Sequence, residues 1–269
     1  MKSFIPNHFK SLCAALIFGV SVPIAMSGGS VHANPITPCP SGLSYADLLA
    51  IDGCGKTPDL YRITVYQIAL CKEDPFTGSD FNTSQCELTF DSPSGTVATL
   101  YDSGVPLTVT LSGSTAPPPN TYTYAAILMG TDFQIKNSYT TSDSGIYYST
   151  STFGVVGQSA PAEIFTKNQT DFGGGQSCDA SESMALGTLS ARILDSSNSF
   201  INLPTGGTCL GAHRIAAVMS MATPISITTS TNGLIATFTV TDVGSTIFAS
   251  GGNLVFDNGP FQISFSTIE

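Results

Sequence analysis

Tryptophan is absent from the 269-residue chain and histidine is nearly so, with His8, His32 and His213 the only three. The first two belong to the N-terminal leader described below, which leaves His213 alone in the mature chain. A histidine-rich metal site within one subunit is therefore excluded. A serine triad would have to use His213, yet no Gly-x-Ser-x-Gly elbow is present to offer it a nucleophile, so His213 is expected to be an ordinary strand or turn residue. The missing tryptophan removes the commonest platform for a sugar ring. Tyr147, Tyr148 and Phe153 are the candidates to replace it, against the plainer reading that they are buried strand aromatics. Charge is also scarce: Asp, Glu, Lys and Arg make up 10% of the chain, and the 19 acidic residues outnumber the 9 basic ones. An acidic surface disfavours nucleic acid and anionic membranes as partners and favours solubility outside the cell. No glycine-rich phosphate loop, dinucleotide fingerprint or basic aromatic patch occurs.

The N-terminus has the layout of a secretory leader. Lys2 and Lys10 precede the apolar run from Cys13 to Val20, and Val31-His32-Ala33 offers small residues for cleavage after Ala33, so residues 1–33 are expected to be a cleaved signal peptide. Pro23 and Gly28-Gly29 interrupt the run, which makes it too short for a membrane span of about 20 residues. The remaining chain is expected to be secreted, to the extracellular space, the cell surface or the periplasm, with no membrane insertion. It carries Cys39, Cys54, Cys71, Cys86, Cys178 and Cys209. An even number of cysteines in an exported chain points to disulfides, and no Cys-x-x-Cys is present to argue for zinc. The sequence alone does not choose among the connectivities. Sequential pairing, Cys39 with Cys54, Cys71 with Cys86 and Cys178 with Cys209, is the expectation because each pair brackets one turn-rich loop.

The period of the apolar residues is that of strands. Residues 34–60 read as an N-terminal flap with one helical turn at Ser44–Leu49, where Ser44 and Asp47 can form a capping box. In Tyr61–Phe90 the apolar face changes near Tyr66-Gln67, which calls for a β-bulge or for burial on both faces. Short strands follow at Leu88–Phe90, Thr96–Leu100 and Leu107–Leu111. The run Tyr122–Met129 is apolar enough for a central strand, with Phe133–Lys136 as its partner. Between about 141 and 210 the composition turns to Ser, Thr and Gly, with a loop at Asp171-Phe172-Gly173-Gly174-Gly175, and reads as an excursion from the main sheet. Ile215, Ala217, Met219 and Met221 alternate as in a strand, although the intervening alanines leave a helix open. Asn232-Gly233 is the strongest hairpin turn signal, and Phe261, Ile263 and Phe265 form a last strand. Residues 61–269 are thus expected to be a single all-β domain, an antiparallel sandwich of Ig-like or jelly-roll-like type.

The pattern formed by Tyr61–Tyr66, Leu70-Cys71, Asp74-Pro75, Cys86, Thr121-Tyr122-Thr123 and Phe133–Lys136 resembles secreted β-sandwich proteins of unknown function from marine and other environmental bacteria. It is more distantly similar to the sandwich domains of bacterial surface lipoproteins, although the lipid-carrying cysteine is missing. The resemblance implies export and a β fold and brings no catalytic residues. Calcium is the one cofactor with candidate ligands: Glu73, Asp74 and Asp80 between two cysteines, and Asp171, Asp179 and Glu182 as a second group, neither with EF-hand spacing. Solvated turn residues are the plainer reading of both. Sequons stand at Asn82 and Asn168. The leading expectation is a noncatalytic extracellular or surface protein, structural or adhesive, as a filament or matrix subunit that self-associates. A glycan- or calcium-dependent binding module is the alternative, and an exported carboxylate hydrolase the third.

Overall fold

A computed structural model of the chain describes residues 37–268 except 52, 103–104, 107–116, 153, 155, 173–176, 185, 202–207 and 251. The expected leader, the expected strand at 107–111, Phe153 and the glycines 173–175 lie outside the described residues. The short helix α1 (Tyr45–Ala50) starts as its sequence dictates. The Ser44 hydroxyl accepts from the Asp47 amide at 3.1 Å and the Asp47 carboxylate accepts from the Ser44 amide at 2.9 Å, which satisfies two of the donors left over at a helix start. Strand β1 (Cys54–Lys56) follows, tied back by the Cys39–Cys54 disulfide. Among the described residues no helix is long and apolar enough to cross a membrane.

Strands β2 (Leu60–Cys71) and β3 (Cys86–Asp102) are the arms of a hairpin bridged at its loop end by Cys71–Cys86, two cysteines directly opposite in register. The expected short strands at Leu88–Phe90 and Thr96–Leu100 are one strand of 17 residues. The two halves are joined where Tyr66 of β2 faces the inserted residues 92–95, between the pairs Val65↔Thr96 and Gln67↔Asp91. Gly95 makes this insertion fit: its φ is +78°, and a Cβ there would lie 2.5 Å from Thr64 Cγ2. The face change is settled on the other side of β2, where Val65 pairs with Met129 and Gln67 with Leu128 of the next strand, so that Tyr66 is one extra residue. Tyr61, Ile63 and Val65 before it and Ile68 after it therefore pack into one core, which a strand without the extra residue could not arrange.

Beyond the short strand β4 (Val105–Pro106), β5 (Asn120–Lys136) takes in both the expected central strand and its expected partner, for Phe133–Lys136 continues Tyr122–Met129 rather than pairing with it. Strands β6 (Ser138–Thr140), β7 (Ile146–Ser149) and β8 (Val156–Gly157) form a small sheet of their own, and β9 (Phe165–Asn168) returns to β5. The remaining strands are β10 (Asp179–Met184), β11 (Gly187–Leu194), β12 (Arg214–Ile227), β13 (Gly233–Thr239), β14 (Ser245–Ser250), β15 (Asn253–Asn258) and β16 (Gln262–Ile268).

The large sheet has the order β10-β11-β12-β5-β2-β3-β4, with β9 as an additional neighbour of β5, and its pairs are antiparallel. Two smaller sheets, β13-β16 and β1-β14-β15, supply Phe238, Phe261, Ile263, Ile247 and Phe256 to the same core as Tyr61, Ile127 and Ile215. The chain is nearly all-β and sandwich-like, and the described residues form no closed barrel. Two sequence expectations give way here. The region 141–210 is not wholly an excursion, because β10 and β11 extend the large sheet. Asn232-Gly233 does not close a hairpin: β12 belongs to the large sheet, whereas β13 pairs with the C-terminal strand β16, so this turn carries the chain from one layer to the other. Strand β12 has both faces buried, Ile215 and Ala217 inward and Ala216 and Val218 outward, which explains why its alanine-rich sequence read ambiguously.

The outward face is covered by the loop that Cys71–Cys86 closes. Phe76 and Phe81 lie over Ala69, Ala126, Val218 and Leu128, and Phe76 meets Phe200 edge-on with centroids 5.6 Å apart. The Phe200 amide donates to the Ser79 carbonyl at 3.1 Å, which joins this loop to the one after β11. Arg192 stacks over Phe200 at 4.4 Å and Arg214 over Tyr66 at 4.1 Å, so two cations shield apolar rings with their planar faces. Replacing Cys71 and Cys86 together by serine is expected to lower the unfolding free energy by about 3 kcal/mol, the entropy of a loop of this length. Denaturant titration of the purified protein measures it, and an unchanged midpoint would mean that the bridge does not hold the cover in place.

Candidate functional site

The sequential disulfides Cys39–Cys54, Cys71–Cys86 and Cys178–Cys209 are all formed. The calcium candidates of the covering loop, Glu73, Asp74 and Asp80, are exposed and serve its turns: Asp74 accepts from the Phe76 amide at 2.9 Å and Asp80 from the Ser79 hydroxyl at 3.2 Å. Among the described residues no three His, Cys, Asp or Glu side chains converge as a metal site would require. His213 is exposed, its amide bonded to the Leu194 carbonyl at 2.9 Å. Tyr147 stacks on Tyr45 at 5.0 Å. Tyr148 lines an open groove of about 500 Å³ with Asp59, Lys136 and Pro161. Asn82 and Asn168, the sequon asparagines, are exposed.

A deeper cavity of about 440 Å³ lies between the two layers. Its origin is readable strand by strand. Ala180 of β10, Ala191 of β11 and Ala217 of β12 stand in cross-strand register, with Ile127 of β5 next in the row, and all four line the cavity. Three methyl groups occupy positions where a sandwich interior ordinarily carries large side chains, so the layers cannot meet over them. Below this row, β5 changes neighbour. It pairs with β12 as far as Gly130↔Arg214 and with β9 from Asp132↔Asn168 onward, and Met129, Phe133 and Ile215 line the cavity at that junction.

The opposite wall is the turn between β15 and β16. Gly259, Pro260 and Phe261 line the cavity, and the Gly259 carbonyl accepts a hydrogen bond of 2.9 Å from the buried Tyr61 hydroxyl. Burial, with the charge of Asp257 second, pushes the Tyr61 hydroxyl far above the ordinary tyrosine range, so it acts as a fixed donor. Gly259 is required by close approach, since a Cβ there would stand 1.8 Å from the Val243 carbonyl oxygen. Residues 168–172 form a third wall. The Thr170 carbonyl accepts from the Cys209 amide at 3.1 Å, so the Cys178–Cys209 bridge anchors this segment beside the start of β10.

Half-buried polar side chains occupy the rim. Lys167 and Asp257 form an ion pair at 2.8 Å, and Asp257 Oδ1 is taken up by the Asn258 amide at 2.8 Å. Glu182 forms no hydrogen bond or ion pair among the described residues, and burial pushes its carboxyl above the usual glutamate range. Two members of the second calcium group thus meet at the cavity, Asp171 and Glu182, whereas Asp179 turns to the Ser177 hydroxyl at 2.6 Å and is not part of the wall. Sequence reasoning missed the apolar lining, because its strand residues come from five separate strands, β5, β10, β11, β12 and β16. The signal that was present is the set of alanines at 180, 191 and 217, which have meaning only once the register is known. No protein-family model, curated protein or solved structure matches the chain.

Two outcomes are expected at this site. Tyr61→Phe leaves the Gly259 carbonyl without its buried donor and should cost about 1–3 kcal/mol of stability in denaturant titration, with no loss of apolar contact. For Glu182 the raised folded-state value means that the folded protein holds the proton more tightly than the unfolded chain. That contribution is present below the unfolded pKa and is lost as pH rises through the folded one. Glu182→Gln should therefore melt above the wild type at pH 7, with the gap closing as the pH falls below the unfolded value of 4.5. A gap that is the same at both ends of the range would contradict this sign.

Proposed function

We propose that this is an exported, noncatalytic binding protein that takes a small, largely apolar molecule into the cavity between its layers. The observation that carries the reading is the row Ala180–Ala191–Ala217, which leaves about 440 Å³ of apolar space bounded by a polar rim. Small-molecule sites are typically concave, apolar and of about 300–1,000 Å³, with a few polar groups that fix orientation. Export is supported by three intramolecular disulfides, which indicate an oxidising extracellular or periplasmic environment, together with the leader-like N-terminal sequence. The apolar floor also favours binding over the glycosidase alternative. Asp171 and Glu182 share the rim, but Ile127, Met129, Ala191 and Ile215 beneath them offer a sugar ring no hydrogen bonds.

A surface or matrix subunit remains as the second reading because β10 ends the large sheet with one side unpaired among the described residues, where another strand could add. The terminal strand β16 is engaged within its own chain, paired with β13 from Gln262 to Ile268. It is therefore not a loose strand ready for donation.

Titration with N-phenyl-1-naphthylamine, a neutral apolar fluorophore, tests the main reading. The wild type should show a saturable rise in emission. Ala191→Leu, which fills the middle of the alanine row, should abolish it while raising or preserving the melting temperature. An equal rise in both proteins, or none in the wild type, would overturn the proposal.

A further inference from the structure

The cavity floor is apolar, but the charges at its rim are not balanced. Among its lining residues are three carboxylates, Asp171, Glu182 and Asp257, and a single ammonium, Lys167. Lys167 is already committed to Asp257 at 2.8 Å, and the other oxygen of Asp257 accepts from the Asn258 amide. Among the described residues an anionic head group entering here would find no uncommitted cation and a net excess of negative charge. A cationic head group would find Glu182, half-buried on β10 beside the alanine row and bonded to nothing among the described residues. The flanking residues do not compete for it: Ser181 is engaged with Ser190 at 3.3 Å, and the residue opposite Glu182 across the strand pair is Leu189, which cannot accept or donate. The whole chain carries a formal charge of −10, so the surrounding field adds to the same preference.

We infer that the ligand is an apolar amine, with its hydrocarbon part laid over Ala180, Ala191 and Ala217 and its ammonium group paired with the Glu182 carboxylate at the rim. The inference rests on the reading of the cavity as a ligand site. A charge-assisted hydrogen bond in a partly desolvated position is among the stronger polar contacts a protein makes, and it would satisfy the rim carboxylate that has no partner among the described residues. The hydrocarbon supplies the affinity and the ammonium group the choice between ligands of equal length.

Displacement of bound N-phenyl-1-naphthylamine by three matched probes, decylamine, 1-decanol and decanoate, tests this on the mature protein at pH 7 and low salt. Decylamine should compete about tenfold better than decanol, and decanoate should be the weakest, consistent with a charge-assisted hydrogen bond of ordinary strength. In Glu182→Gln the amine-to-alcohol ratio should fall to about one, and in Glu182→Lys the order should invert in favour of decanoate. Equal competition by all three probes in the wild type would overturn the inference while leaving the cavity reading intact. So would a preference for the amine that persists in Glu182→Gln. If the fluorophore itself fails to bind the wild type, the cavity reading falls first and this inference with it.

Discussion

The ring of Tyr61 sits between Phe133 of the same sheet, centroids 6.0 Å apart, and Phe261 of the facing layer at 6.2 Å, and its hydroxyl ends on the Gly259 carbonyl. Phe261 in turn meets Phe238 at 5.8 Å. This chain of rings joins the two layers, and the hydrogen bond fixes the turn that walls the cavity. The contact is full on the Tyr61 side and open on the alanine side. The sandwich is thus hinged on one aromatic cluster and left apart along the edge formed by β10, β11 and β12. Offset and edge-to-face aromatic pairs hold their geometry better than aliphatic contacts do, which suits a cluster that must set a spacing.

The empty space is not a packing accident at one residue. It needs three alanines in register, a change of partner along β5 and a turn in which Gly259 approaches Val243 too closely for any side chain. Unfilled apolar volume costs stability, as does a half-buried glutamate that has no partner among the described residues. Both costs fall in one place, beside an ion pair that bridges β9 to the end of β15. Binding sites concentrate such local costs, whereas a core under no constraint but folding fills its gaps.

The disulfides serve three different parts of the same object. Cys39–Cys54 ties the N-terminal flap to β1, Cys71–Cys86 closes the loop whose phenylalanines cover the outward face, and Cys178–Cys209 anchors the wall of the cavity beside β10. The covering loop makes one half of the molecule three layers deep. That explains why Ala126, Leu128, Ala216 and Val218 can be apolar although they point away from the main core. It also accounts for the acidic residues Glu73, Asp74 and Asp80, which keep the exposed side of that cover in water.

Local rules were enough for much of this. The capping box at Ser44, the face change near Tyr66-Gln67 and the strand character of 61–71 depend on neighbours in sequence and were legible in the chain, whereas the sequential cysteine pairing was one of several connectivities until the structure chose it. Features decided by distant segments were not. Asn232-Gly233 has the residues of a hairpin turn, but the strand after it gains more by pairing with the C-terminus than with β12. Phe133–Lys136 reads in sequence as a partner of Tyr122–Met129, and only the pairing of both segments with β2 shows that they are one strand. The cavity lies furthest from local reading. An alanine in a strand is unremarkable by itself, and Ala180, Ala191 and Ala217 leave a gap only because the register sets them side by side. Sequence therefore determined the fold class, the presence of six cysteines suited to disulfides and the scarcity of catalytic side chains, since composition and short-range periodicity carry those. The tertiary structure alone decided where the interior stays empty, because an unfilled volume belongs to the packing of several strands and to no single one of them.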